Sequence, residues 1–552
     1  MSTSQAQTGG PDGGMNEAQV TEQERLVRSS AAVAAGTLLS RVTGLLRVAV
    51  LAYAIGRATL ADSYNLANST PNIVYELILG GVLSATLVPL FVDNLRRRDD
   101  RATSAIFTVA MTVLVILTGI AMVFAPLIAR LYAVDTNGAE RTAQLHVMTV
   151  FTLWFLPQMI FYGFTALATA LLNAHRRFVA AAFAPVINNV IVIAILVVFA
   201  ADTRGARDSW IDVRRITGDG GKLALLGAGT TAGILAMALV LVPALRRLPT
   251  KLRAAFEWRH PAVRQMLRLS GWTIGYVVTN QLALLFVLVL AKSGTTGDVS
   301  AYLYAYAFFQ VPHGLIAVSI MTTMMPELSR SAAERDLPEL GRRFRLGFRY
   351  LILLMLPAAA LFVTLAQPML GVLVRGGFSA HDASVTADTL QAMVVGLVPF
   401  SIYLYVLRGF YALHDTFTPF WINAIENGVN IALALMLFPS LGVQGLAWAW
   451  TGAYSVAAVI ALIALGRRVP APFDRDVGRA AGRAGVGTAV LAMVAAVLAA
   501  AIGSTTANRA LLATAVASLV AGGCYALTLV ALRTPEVGSL LAVLRRRAPA
   551  EI

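Results

Sequence analysis

Fourteen predominantly apolar runs constrain this chain more than any single motif. They fall at residues 30–56, 68–93, 104–130, 145–172, 179–200, 222–245, 265–291, 299–325, 346–368, 388–412, 417–438, 442–465, 482–502 and 508–532. A helix needs about 20 apolar residues to cross a bilayer core, and each run meets that length. The expected fold is therefore an all-α integral membrane protein with 14 transmembrane helices. Composition agrees, because only 13% of the residues are charged, about half the share of a soluble domain.

The basic residues give an orientation. If the N-terminus is cytoplasmic, 30 of the 44 Lys and Arg residues fall in inner segments and 11 in outer ones. That bias predicts cytoplasmic N- and C-termini. The net charge of +15 is thereby explained by topology rather than by nucleic acid, which would need a basic face on a soluble fold. Residues 1–27 read as a disordered cytoplasmic tail and 536–552 as a basic one. Cys524 is the single cysteine, so a disulfide framework is excluded. No GxxxxGK[ST] loop or HExxH helix occurs, and the short loops leave no room for a catalytic domain.

The chain also repeats itself. "NAHRRFVAAAFAPVINNV" from Asn173 aligns with "ALHDTFTPFWINAIENGV" from Ala412, and "LSATLVPLF" around Pro89 aligns with "IMTTMMPEL" around Pro326. Both offsets are close to 240 residues, which implies two parallel six-helix lobes, 28–260 and 261–468. Spans 13 and 14 (469–535) stand outside the repeat. Two-lobe repeats are a transporter design with the substrate site between the lobes.

Polar residues inside the spans mark candidate chemistry, because charge in hydrocarbon is costly. Span 1 carries "SRVTGLLRVAVLAYAIG", in which neither flank of the pair Arg41 and Arg47 is long enough to cross alone. Six residues place the two about 9 Å apart along the helix and about 120° around it. Both can border one polar cavity, or Arg41 can snorkel to the inner surface. Span 2 carries a stripe of Asp62, Asn65, Asn68, Asn72 and Glu76 at spacings of three and four. Glu76 is the expected counter-charge for an arginine of span 1, while Asp62 reads equally as an outer-surface residue. Gln310 and His313 lie in span 8 and Arg408 near the end of span 10. Asn423, Glu426, Asn427 and Asn430 form a second polar face, in span 11, for which a cation site and simple inter-helix hydrogen bonds are both open readings.

These residues resemble a known family. The stretch from Ser40 through "ADSYNLANSTPNIVYELILGGVLSATLVPLF" is similar to the opening of the MurJ (MviN) lipid II flippases of the MOP exporter superfamily, as are "FQVPHGLIAVSIMTTMMPELSRS", "RGGFSAHDASVTADTL" and "GFYALHDTFTPF". The low lysine content fits a GC-rich, actinobacterial source. The resemblance implies two rocking lobes, a cationic cavity, and lipid II as the substrate, carried from the inner to the outer leaflet without ATP hydrolysis. It implies that Arg41 and Arg47 bind the pyrophosphate, which guanidinium groups pair with bidentately. It also implies a functional role for Asp62, which with Asn72, Glu76, Gln310 and Arg408, polar residues read inside the spans, is expected to line or gate the cavity. No cofactor is expected, and coupling would come from Na⁺, H⁺ or the membrane potential. Partners would be lipid II, membrane lipids and other cell-wall synthesis proteins. Tyr75 and Ala307 stand where relatives carry arginine, and Val48 where they carry an acid. The alternatives are a flippase for another polyprenyl-linked glycan, a drug/cation antiporter of the same superfamily, or a membrane glycosyltransferase, which would need an acid-bearing outer loop.

Overall fold

The structure is a computed structural model that describes residues 17–76, 87–132, 138–204, 212–269, 271–470, 474–536 and 538. The longer helices of the first half are α1 (Glu17–Ile55), α2 (Thr59–Tyr75), α3 (Leu87–Arg97), α4 (Asp100–Val123), α5 (Gly138–Phe155), α6 (Gln158–Ala174), α7 (Phe178–Asp202) and α8 (Gly220–Leu239). Those of the second half are α9 (Gly271–Lys292), α10 (Asp298–Pro312), α11 (Val318–Ala333), α12 (Leu337–Gly371), α13 (Ala380–Val395), α14 (Leu397–Ala412), α15 (Phe417–Leu441) and α16 (Val443–Gly466). Two more, α17 (Arg475–Ile502) and α18 (Ala507–Ala531), complete the chain.

Twelve helices among the described residues are long and apolar enough to cross a membrane, and the bent pair α13 and α14 makes a thirteenth span. The protein is thus a multi-pass membrane protein. The expected span 68–93 contains residues 77–86, which lie outside the described residues, as does most of the 536–552 tail, so a count of fourteen is not reached. The expected N-terminal tail is shorter than 1–27, because α1 already begins at Glu17. "EAQVTEQERLVR" is rich in good helix formers, and helix propagation from the apolar segment behind it costs little.

Three spans that read as continuous helices are interrupted. α5 and α6 are separated at Leu156-Pro157, where proline removes a backbone donor. α10 runs into a π-helical turn, His313–Ala317, immediately after Pro312. α13 and α14 meet at Gly396 with a bend of 43°.

Packing follows the small residues. α18 buries Ala510, Ala513, Ala517 and Ala521, one stripe at helical spacing that lets helices approach closely. With Leu491 and Ala495 of α17, Ala517 and Ala521 join a core cluster against Leu353 and Leu365 of α12. A larger core runs through both halves, joining Leu51, Ile55 and Leu60 to Leu288, Phe309 and Phe378.

Candidate functional site

Two features lie between the halves, at opposite ends of α2. The first is a latch. Asp62, in the first turn of α2, is fully buried. Its Oδ2 accepts from Gly297 N at 2.8 Å, and its Oδ1 accepts from Ser300 N at 3.0 Å and Ser300 Oγ at 2.8 Å. Gly297 is the N-cap of α10, so a carboxylate from one half caps a helix of the other, where the helix dipole favours negative charge. Lys292 Nζ stands 4.0 Å from the same carboxylate. Beside it, Arg57 Nε donates to Asp382 Oδ1 at 3.0 Å and Arg57 Nη1 to Asp298 Oδ1 at 3.2 Å. Asn65 Nδ2 donates to Ser300 Oγ, and Tyr304 OH to Gly56 O.

Glycine makes this approach feasible. Gly56 has φ +64°, and a Cβ there would fall 2.1 Å from the Gly377 carbonyl oxygen. Gly297 has φ +90°, and its Cβ would fall 2.3 Å from Arg57 Cγ. At both positions a side chain would meet the facing half and strain the backbone as well.

The second feature is a cavity of about 1230 Å³ that begins on α2 at Asn72, Tyr75 and Glu76. Asn72 lies ten residues beyond Asp62, hence about 15 Å down the helix. The first half also contributes Tyr162 and Asn173; the second half contributes Tyr276, Arg408, Tyr411 and His414. The cavity therefore faces the end of the molecule that carries His175 and His414, away from the latch.

The expected site residues divide between these places. Asn72, Glu76 and Arg408 line the cavity. Asp62 is in the latch, so the outer-surface reading of it is corrected: it begins a helix, but under the facing helix rather than in solvent. Arg41 and Arg47 are not among the described lining residues. Arg41 reaches the second half at the π-turn, where a Cβ on Gly314 would fall 3.0 Å from its Cζ. At that turn His313 Nδ1 is 3.1 Å from Ser401 Oγ. Arg47 is half-buried on α1.

Glu76 is not the counter-charge of either: among the described residues Arg41, Arg47 and Arg408 have no ion pair. Buried in the wall, the Arg408 Nε has no hydrogen-bond partner. Gln310 donates to Tyr306 within its own helix and is absent from the described cavity lining. With one glutamate and one arginine among them, the described lining residues are aromatic and hydroxyl-rich rather than strongly cationic.

The span 11 residues form a separate buried cluster in the second half. Asn423 Nδ2 and Asn427 Nδ2 both donate to Asn280 Oδ1 at 3.1 Å. Three oxygens there, Glu426 Oε2, Asn423 Oδ1 and Asn430 Oδ1, are buried without a partner. Among the described residues no group of three His, Cys, Asp or Glu could hold a metal ion, so any cation here would be held by one carboxylate and amide oxygens.

A family model described as lipid II flippase MurJ matches residues 51–520. The chain belongs to the MurJ lipid II flippase family. A probable lipid II flippase MurJ of Haemophilus influenzae is 30% identical over 425 residues, covering 73% of this chain and 79% of its own. That of Rhizobium meliloti is 29% identical over 431 residues, 77% of each chain. The lipid II flippase MurJ of Burkholderia cenocepacia is also 29% identical, over 429 residues. Among solved structures, a lipid II flippase MurJ in an inward closed conformation matches with TM-score 0.71 at 19% identity, over 90% of this chain and 99% of its own. An inward-facing multidrug MATE transporter of the MOP superfamily matches with TM-score 0.64 at 13% identity, over 78% and 95%. At such identities the structural matches speak for the fold alone, one shared with MurJ and MATE proteins.

The latch residues Arg57, Lys292, Gly297, Asp298, Ser300 and Asp382 were not legible as a site. Arg57 reads as an ordinary outer-loop charge. The available signal was the repeat: Arg57 and Asp298 are 241 residues apart, Asp62 and Ser300 238, so near-equivalent positions of the two repeats meet.

Proposed function

We propose that this protein is a lipid II flippase that works by alternating access between its two halves. The observation that carries this reading is the pairing of a closed, charge-compensated contact at one end with a large interhalf cavity at the other, whose wall holds Arg408 without an ion pair among the described residues. The pyrophosphate of lipid II is the anion that Arg41, Arg47 and Arg408 receive, in bidentate, charge-assisted hydrogen bonds. The cavity exceeds the usual drug-sized pocket, as a disaccharide-pentapeptide headgroup requires.

On this reading the termini are cytoplasmic in the bacterial inner membrane, the cavity faces the cytoplasm and the latch faces outward. The halves 28–260 and 261–468 rock as lobes, with 469–535 carried along as an added pair. Asp62 gates the outer side, Asn72, Glu76 and Gln310 shape the path, and energy comes from a gradient or the membrane potential rather than from ATP. Glu426, with Asn423 and Asn427, supplies oxygens for Na⁺ or takes up H⁺ as the coupling ion. The role is in peptidoglycan synthesis alongside other cell-wall proteins.

The test is replacement of a depleted native flippase in cells, following lipid II at the outer leaflet. Wild type restores outward lipid II; failure to do so overturns the function. Arg47→Ala lowers flipping at least 10-fold, by loss of one charged hydrogen-bond pair worth about 1.5–3 kcal/mol. Full activity in that variant overturns the pyrophosphate role.

A further inference from the structure

The segment that joins the two halves is lashed to the outside of α4 in a regular way. Lys251 N donates to Asp100 Oδ2, Arg253 N to Ser104 Oγ, and Ala255 N to Thr108 Oγ1, at 3.2, 3.2 and 3.1 Å. Alternate residues of an extended chain advance about 6.6 Å, and one turn of four residues along a helix advances about 6 Å. The two spacings match, so donors at 251, 253 and 255 meet acceptors at 100, 104 and 108. The strap is pinned at both ends: His175 Nε2 contacts Thr250 Oγ1 at 3.0 Å, and Arg101 Nε pairs with Glu257 Oε1 at 2.7 Å.

This pinning fixes where the strap's side chains go. Thr108 lies about 12 Å along α4 from Asp100, past the polar first turns and into the apolar part of the helix. Immediately after the bond to Thr108 come Phe256 and Trp258, which are 62% and 58% exposed. Around them Lys251, Arg253, Arg259 and Arg264 are exposed and have no ion pair among the described residues. Arg259 lies over the Trp258 ring at 4.7 Å from its centroid. Glu257, already paired to Arg101, is the only acid between Arg246 and Leu269.

We propose that residues 250–264 form a lipid-reading strap. Phe256 and Trp258 insert at the boundary between headgroups and acyl chains, and the surrounding cations bind the phosphates of anionic phospholipids in the leaflet at the cavity end. Aromatic side chains with cations beside them are suited to that interface, and each cation near an anionic surface adds to the attraction. Because the strap joins the halves, it ties their hinge to the composition of that leaflet.

The experiment uses the full chain in proteoliposomes of phosphatidylcholine and phosphatidylglycerol, without lipid II, so that only bulk phospholipid is read. The fluorescence of Trp258 is isolated as the difference between wild type and Trp258→Phe, and either lipid is supplied brominated at equal mole fraction. Brominated phosphatidylglycerol is expected to quench this signal at least about twofold more strongly than brominated phosphatidylcholine. In a Lys251→Gln, Arg253→Gln, Arg259→Gln variant, quenching persists but the preference disappears. A Trp258 signal that neither lipid quenches shows a strap facing water or a protein and overturns the proposal. Equal quenching by the two lipids in wild type overturns the headgroup selectivity.

Discussion

The latch and the cavity use the same side-chain types in opposite ways. At the latch, Arg57 is held by Asp298 and Asp382, and Asp62 by two backbone N–H groups, a hydroxyl and Lys292. At the cavity, Arg408 has a buried Nε with no partner and no ion pair among the described residues. A satisfied charge holds the closed contact, whereas an unsatisfied one is left available for a ligand. The cost of the second arrangement is recovered when an anion arrives, so the difference separates the gate from the site. Substitutions at the latch should therefore move the balance of conformations, and substitutions at the cavity should move ligand binding while leaving that balance alone.

Asp62→Ala is the largest break. It leaves Lys292 and the N–H groups of Gly297 and Ser300 without their acceptor in a buried contact, at a cost of about 3–5 kcal/mol. Spin labels at Ala201→Cys and His381→Cys, on a Cys524→Ser background, report the separation of the halves at this end. The ratio of the short- to the long-distance population should fall by more than about 100-fold; an unchanged distribution would show that Asp62 does not hold the latch. Gly56→Ala comes next, because its Cβ meets the backbone oxygen of Gly377 at 2.1 Å and its φ is +64°. Left-handed strain of about 1–2 kcal/mol adds to the clash, so the same labels should move apart with only partial occupancy of the closed state. Arg57→Gln is smaller, at about 2 kcal/mol, since a glutamine still donates to one of the two carboxylates.

Arg408→Gln tests the other side. The label distances should stay as in wild type while affinity for a pyrophosphate-bearing lipid falls about 10-fold, the worth of one charged hydrogen bond. Coupled changes in both readouts would remove the distinction between gate and site.

The sequence made the fold class and most spans legible, because apolar runs are a local signal. The site was legible only in part. Asp62, Glu76 and Arg408 stand out as polar residues in apolar runs, but their partners depend on which faces of distant helices meet. Thus Glu76 reads as the mate of Arg41 or Arg47 by proximity in the chain, yet it lines the cavity, and Asp62 instead takes Gly297 and Ser300. Arg57 was invisible for the same reason: its partners are 241 and 325 residues away. The interruptions at Pro157 and Pro312 had a local signal, a proline inside an apolar run, which hydropathy averaging conceals.

Gly314→Ala sharpens the comparison at its weakest point. Its Cβ would fall 3.0 Å from Arg41 Cζ, a contact closer than ordinary packing, as at Gly56. The neighbour differs, however: at Gly56 it is fixed backbone of the facing half, whereas here it is the far end of a long, exposed side chain. Arg41 can give way by a rotamer change of roughly 0.5–1.5 kcal/mol, and no positive φ adds strain at Gly314. The latch distances should be unchanged, and flipping should drop by no more than about 10-fold, because only the aim of Arg41 is altered. A loss as large as that of an Arg41→Ala variant would mean that Arg41 works from one fixed position at the π-turn, and the cavity-end arginines would then be as tightly placed as those of the latch.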